Sequence, residues 1–191
     1  MGKMVKNKAV VTLITVVCVL GAVSWLYPYS PVSAKKTITY QPDEVVVEQY
    51  ENDLSAFKDR YQRVSEGEEE YSRTTDQVQY LLQMFEQRWL VSKEPTKVTK
   101  GKLDKIHFEV KQAREVLIGL VFEEEYTDNA SSFLRLLLER TLHLEEQVNE
   151  LKHASDHSRA TLDREFRNLH TSFINNFGML DTFFDRYLNE V

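Results

Sequence analysis

Two histidines, His153 and His157, have the spacing of a metal-binding pair on one helix. Residues four apart share a helix face, and Asp156 beside them would add a carboxylate ligand. In the heptad frame set by Leu151 and Leu162, however, both histidines fall on outer positions, and no glutamate motif of the zinc proteases accompanies them. We therefore predict solvated surface histidines and no metal site.

Two runs of glutamates, Glu68–Glu70 and Glu123–Glu125, could supply oxygen ligands to a hard cation. Consecutive residues on a helix point in different directions, so both runs are predicted to be solvated faces.

Three tyrosines, Tyr50, Tyr61 and Tyr71, recur on one apolar helix face. We predict that they belong to the core or to an aromatic groove, because buried phenols pack while their hydroxyls seek hydrogen-bond partners.

The chain carries no motif that would activate a nucleophile or bind a cofactor. It has many serines and five histidines, but neither a strand–turn–helix elbow nor a glycine-rich loop. We therefore predict that the protein is not an enzyme and uses no cofactor.

The segment from Ser92 to Lys105 is basic within an acidic protein. Its acidic residues are only Glu94 and Asp104, against five lysines: Lys93, Lys97, Lys100, Lys102 and Lys105. Such a cluster of point charges can bind an anionic envelope polymer or an acidic protein in a salt-sensitive way. The simpler alternative is a solvated turn. The five lysines are the predicted partner-binding residues.

Residues 1–34 are predicted to be a signal peptide or an N-terminal membrane anchor. An uncharged stretch from Ala9 to Tyr27 follows lysines at positions 3, 6 and 8, and Val-Ser-Ala at 32–34 suits a signal-peptidase cut. Aromatic residues at positions 25, 27 and 29 would suit the interface of a retained anchor. Both alternatives place residues 35–191 outside the cytoplasm, secreted or attached to the outer face of the cytoplasmic membrane, because the positive charges precede the apolar core.

Composition narrows the class of partner and of fold. The first 34 residues contain three lysines and no acidic residue, so their removal changes the net charge from −6 to −9. An acidic chain makes nucleic acid an improbable partner. The only cysteine is Cys18, so residues 35–191 have no disulfide and depend on apolar packing. Glycine and proline are scarce beyond Pro42, and this scarcity favours long helices.

Heptad spacing predicts a first long helix over about 43–91, capped by Asp43 and preceded by a short linker, 35–42. Its apolar positions alternate three and four residues apart: Val47, Tyr50, Leu54, Phe57, Tyr61, Val64, Glu68, Tyr71, Thr75, Val78, Leu82, Phe85 and Trp89. The seam weakens at Glu68 and Thr75, beside Gly67, but its phase is continuous. We predict one uninterrupted helix. If the N-terminal segment were an anchor, this helix would hold the lysines about 70 Å from the membrane.

Three further helices are predicted over about 103–125, 130–152 and 156–189. The last carries an apolar seam rich in phenylalanine, from Leu162 to Leu188. A continuous helix from Ala130 to Asn189 would project beyond the first helix, so a break near Ser155 with Asp156 as a new cap is favoured. The result is an all-α, elongated antiparallel bundle with coiled-coil-like seams, spanning 43–191. The alternative is an unbroken last helix whose seam is buried in a homodimer.

Together these features predict an exported helical-bundle interaction module of the cell envelope. It is expected to be non-catalytic and to bind a protein or an anionic polymer, as a monomer. Any contact with the membrane would be through an uncleaved N-terminal segment. The alternative function is a ligand-binding or sensory bundle that works with a separate transducer, because the chain contains no cytoplasmic signalling domain.

Overall fold

The computed structural model describes residues 2–34, 36–67 and 72–190, which form seven helices and one two-stranded sheet. In chain order the elements are helix α1 (Gly2–Leu26), strand β1 (Thr37–Tyr40), helices α2 (Glu44–Gly67), α3 (Arg73–Phe85) and α4 (Arg88–Val91), strand β2 (Thr96–Thr99), and helices α5 (Lys100–Glu123), α6 (Asp128–His153) and α7 (Arg159–Glu190). The predicted all-α helical bundle is confirmed. The coiled-coil character of its seams remains a prediction.

Helix α7 lies at the centre of the core. The seam predicted from its spacing is buried along most of its length, at Leu162, Phe166, Leu169, Phe173, Phe177, Leu180 and Phe184. Phe177 shows how this seam joins the elements, because its ring centroid lies 5.6 Å from that of Phe57 in α2 and 5.5 Å from that of Phe85 in α3. On another side, Asn176 donates a hydrogen bond to Thr141 Oγ1 of α6 at 3.1 Å. Helix α7 therefore joins α2, α3 and α6.

The turn predicted near Ser155 is present, but its capping residue differs from the prediction. Helix α6 ends at His153 and α7 begins at Arg159, so the two helices are separate. Ser158 accepts a hydrogen bond from the backbone N–H of Thr161 at 3.2 Å, whereas the predicted cap, Asp156, is exposed in the turn. The hydroxyl of Ser158 can cap α7 because it accepts a hydrogen bond from a backbone N–H of the first turn, which has no partner within the helix.

The single helix predicted over 43–91 is wrong. Helix α3 runs back along α2, since the Lys58 ammonium pairs with Glu86 at 2.6 Å and the Tyr50 hydroxyl donates to the Phe85 carbonyl at 2.9 Å. Ser72 caps α3 by accepting from the Thr75 N–H. The predicted cap at the other end holds, because the Asp43 carboxylate accepts from the N–H groups of residues 45 and 46. Glu68–Glu70 and Tyr71, which had been assigned to the middle of this helix, lie outside the described residues.

The segment 35–42 was predicted to be a linker but contains strand β1. This strand pairs antiparallel with β2, with Ile38 opposite Val98 and Tyr40 opposite Thr96. Ile38 and Tyr40 are both buried, because alternate residues of a strand point to one face and the Thr-Ile-Thr-Tyr sequence places its larger apolar side chains inward. The sheet therefore fixes the start of the bundle against the segment before α5.

The remaining predicted helices, 103–125, 130–152 and 156–189, correspond to α5, α6 and α7, with ends that differ by three residues or fewer. Helix α1 leaves its large apolar side chains exposed from Val10 to Leu20. Across the ranges that the structure describes, no helix combines the length and the apolar character needed to cross a membrane.

Candidate functional site

The small sheet positions the predicted lysines at one end of the bundle. Lys97 lies exposed on β2, opposite Thr39 of β1. Strand β2 leads directly into α5, where the Thr99 hydroxyl accepts the N–H of Lys102 at 3.2 Å and caps the helix. Lys100, Lys102 and Lys105 therefore lie on the first two turns of α5.

Lys93 differs from the other four predicted lysines because its charge is compensated. Its ammonium lies 3.0 Å from Glu48 Oε2 of α2. The hydrogen bond that Lys93 donates to Glu48 is the main cause of a raised pKa for Lys93, because it stabilises the charged form. Lys93 therefore links the loop to α2, and we exclude it from the candidate site.

Arg88 of α4, which the sequence did not single out, lies close enough to Lys102 to lower its pKa, and we add it to the other four lysines. We call these five residues the basic surface: Arg88, Lys97, Lys100, Lys102 and Lys105. Within the described ranges none of them forms an ion pair. The nearby carboxylate of Asp104 is engaged instead by Lys152 of α6 at 2.9 Å. The basic surface therefore has excess positive charge, which Glu109 offsets in part through its attraction to the Lys105 ammonium.

Two observations favour an anion at the start of α5. Partial burial, followed by the nearby Arg88 guanidinium, lowers the pKa of Lys102, so a neighbouring anion would stabilise the charged form of this lysine. The N-terminus of α5 also carries the positive end of the helix dipole, where negative side chains are normally stabilising, and no acidic residue lies in its first turn. An anion at this position would relieve both effects.

The basic surface lies beside the C-terminal end of α1, contrary to the predicted separation of about 70 Å. Tyr29 follows α1, is buried, and donates a hydrogen bond to the Val98 carbonyl of β2 at 3.1 Å. The Lys100 ammonium lies 6.0 Å from the centroid of the Tyr29 ring, within the range of a cation–π contact. The prediction failed because it relied on an unbroken first helix and missed the pairing of β1 with β2.

The chain matches no family model, no curated protein and no solved structure. Its function must therefore be argued from its sites.

The histidine pair does not converge on a common point. His153 is exposed, with Nδ1 2.8 Å from the Asn149 carbonyl oxygen of its own helix. His157 turns toward α7, where Nδ1 lies 2.9 Å from Glu165 Oε2. Among the residues with described positions, no group of three histidine, cysteine, aspartate or glutamate side chains could hold a metal ion.

The second glutamate run lies on the surface of the bundle, where two of its residues form ion pairs. Arg73 at the start of α3 forms an ion pair with Glu123 and lies 3.5 Å from Glu124.

Tyr50 is a core residue, which was one of the two predicted alternatives. Tyr61 is partly buried and packs against the same core. These groups stabilise the bundle and leave the basic surface as the main candidate site.

Proposed function

We propose that the protein is a non-catalytic interaction module of the cell envelope that binds an anionic partner through the basic surface. The observation that carries this proposal is the excess positive charge of strand β2, the start of α5 and Arg88 on an otherwise acidic chain. Long-range attraction by such a cluster favours encounter with anionic polymers or acidic proteins and weakens as salt screens it. Strand β2 and the first two turns of α5 hold most of these charges in fixed positions, which supports a fixed binding surface.

Export is the second part of the proposal, and it rests on the charge and hydropathy pattern of residues 1–34. The burial of Tyr29 bears on the choice between the two N-terminal alternatives. Cleavage after Ala34 would remove Tyr29 from beneath β2 and leave a vacant space in the core. The burial of Tyr29 supports the alternative in which the mature chain keeps its N-terminal segment.

Binding can be tested with two immobilised polyanions, polyglycerol phosphate and polyglutamate. Reversing two exposed charges of the basic surface, Lys97→Glu with Lys105→Glu, should weaken binding by about tenfold, since each exposed charge contributes up to about 1 kcal/mol. The matched control is Lys111→Glu, an exposed lysine further along α5 and outside the basic surface. Equal losses in the control and the double variant would contradict the assignment of the basic surface.

Export can be tested with a reporter, active only outside the cytoplasm, fused after Val191. Activity of this fusion is expected, and a reporter that works only inside the cell would reject the export proposal. Mass spectrometry of the native protein should find an N-terminus upstream of Tyr29. A mature chain that begins at Lys35 would instead show cleavage.

A further inference from the structure

A cavity of about 540 Å³ opens to solvent between α2, α6 and α7, away from the basic surface. Its apolar lining includes the rings of Phe57 and Phe177 and the side chains of Ile174 and Met179. This volume lies within the range of about 300 to 1,000 Å³ that is typical of small-molecule sites. The cavity is therefore large enough for a ligand the size of an amino acid or a short peptide.

Four charged residues line the cavity, and two of them compensate each other. Arg60 of α2 pairs with Asp181 of α7, and its guanidinium carbon lies 5.3 Å from the centroid of the Phe57 ring. This ion pair connects α2 to α7 and forms a neutral part of the wall. One acidic and one basic residue of the lining remain outside this ion pair.

The two remaining charges are uncompensated and come from different helices. Asp53 of α2 and Arg140 of α6 both line the cavity, and both are exposed. Within the described part of the chain, neither forms an ion pair, so they do not pair with one another across the opening. One carboxylate and one guanidinium therefore flank an apolar floor.

We propose that this cavity binds a zwitterionic ligand with an apolar body, namely an apolar α-amino acid or a short peptide with apolar side chains. The ligand ammonium would pair with Asp53, its carboxylate would accept hydrogen bonds from Arg140, and its side chain would cover the half-buried Ile174 and Met179. A simple anion could pair only with Arg140 and a simple cation only with Asp53, whereas a zwitterion pairs with both. This site goes beyond the proposed function, since it shares no residue with the basic surface.

The ligand class can be tested by calorimetric titration of the full chain, held in a non-ionic detergent. L-leucine and L-leucyl-L-leucine are the probes, and the stronger binder identifies the length of the natural ligand. N-acetylation removes the ammonium and C-terminal amidation removes the carboxylate. Each capped form should bind about tenfold more weakly, because a hydrogen bond to a charged group contributes about 1.5 to 3 kcal/mol.

Two variants assign the charges. Arg140→Gln should weaken binding of leucyl-leucine about tenfold, and Asp53→Asn should abolish the preference for the free over the N-acetylated peptide. The matched controls, Arg135→Gln and Asp59→Asn, alter exposed residues on the same two helices outside the cavity and should bind like the wild type. All four substitutions change exposed side chains, and circular dichroism would verify that each variant is folded.

Several outcomes would overturn the proposal. They are the absence of saturable binding of both probes, capped probes that bind as well as free ones, and equal effects in the variants and their controls. Failure here would leave binding of polyanions by the basic surface unaffected, because Asp53 and Arg140 lie outside that surface. Conversely, loss of polyanion binding in the Lys97→Glu, Lys105→Glu variant should leave titration with leucyl-leucine unchanged.

Discussion

Replacing Tyr29 tests whether the residues after α1 are part of the folded bundle. Only 2% of Tyr29 is exposed, and its hydroxyl donates to the Val98 carbonyl at 3.1 Å. Truncation of a fully buried aromatic side chain costs about 3 to 5 kcal/mol, so Tyr29→Ala should lower the free energy of unfolding by that amount. Tyr29→Phe keeps the ring and loses the hydrogen bond, so about 1 kcal/mol should be lost.

Urea unfolding of the full chain, followed by far-ultraviolet circular dichroism, would measure these differences. Domains of ordinary stability unfold with about 5 to 15 kcal/mol, so both variants should remain folded enough to compare. The matched control is Tyr27→Ala in the same segment, where 37% of the side chain is exposed, and this change should cost less than about 0.5 kcal/mol. If Tyr29→Ala were no more destabilising than Tyr27→Ala, the docking of this segment would be refuted.

Three further measurements address the core, its pH dependence and the topology. Phe177→Ala should cost about 3 to 5 kcal/mol in urea unfolding, against less than about 0.5 kcal/mol for the exposed His153→Ala, and equal effects would show that the core is misassigned. Burial lowers the pKa of His170 below its ordinary value, so its contribution to stability is complete above about pH 6.5 and is lost as pH falls. His170→Gln should accordingly flatten the fall of unfolding free energy below that pH. Cysteines in place of Lys58 and Glu86, with the native cysteine changed to serine, should be joined within one molecule by a short bifunctional maleimide, whereas a continuous helix would hold them about 42 Å apart.

The sequence predicted the buried face of α7 well, because spacings of three and four residues identify which side of a helix is apolar. The same pattern gave a wrong prediction for α2 and α3, which were predicted to be one helix. A heptad phase specifies the apolar face but does not say what covers it, so one long helix and two helices folded against each other have the same seam. The local indications of an interruption were Gly67 and the polar seam positions Glu68 and Thr75.

The parts that could not be predicted depend on contacts between distant segments. Strands β1 and β2 are four residues each and lie far apart in sequence, so neither shows a periodicity from which their pairing could be inferred. The lysine segment was found from its composition, but the neutralisation of Lys93 by Glu48 and the addition of Arg88 required the fold. Asp53 and Arg140 are unremarkable in the sequence, because only the packing of α2 and α6 around α7 brings them to one cavity.

The position of α7 after the other helices in the chain has a consequence for the order of folding. Helices α2, α3 and α6 each place part of their buried surface against a helix that is synthesised after them, so that part stays uncovered until α7 has emerged. A chain interrupted before residue 159 should expose its apolar surfaces and be a ready substrate for chaperones and proteases. Completion of the core should therefore wait for the docking of α7.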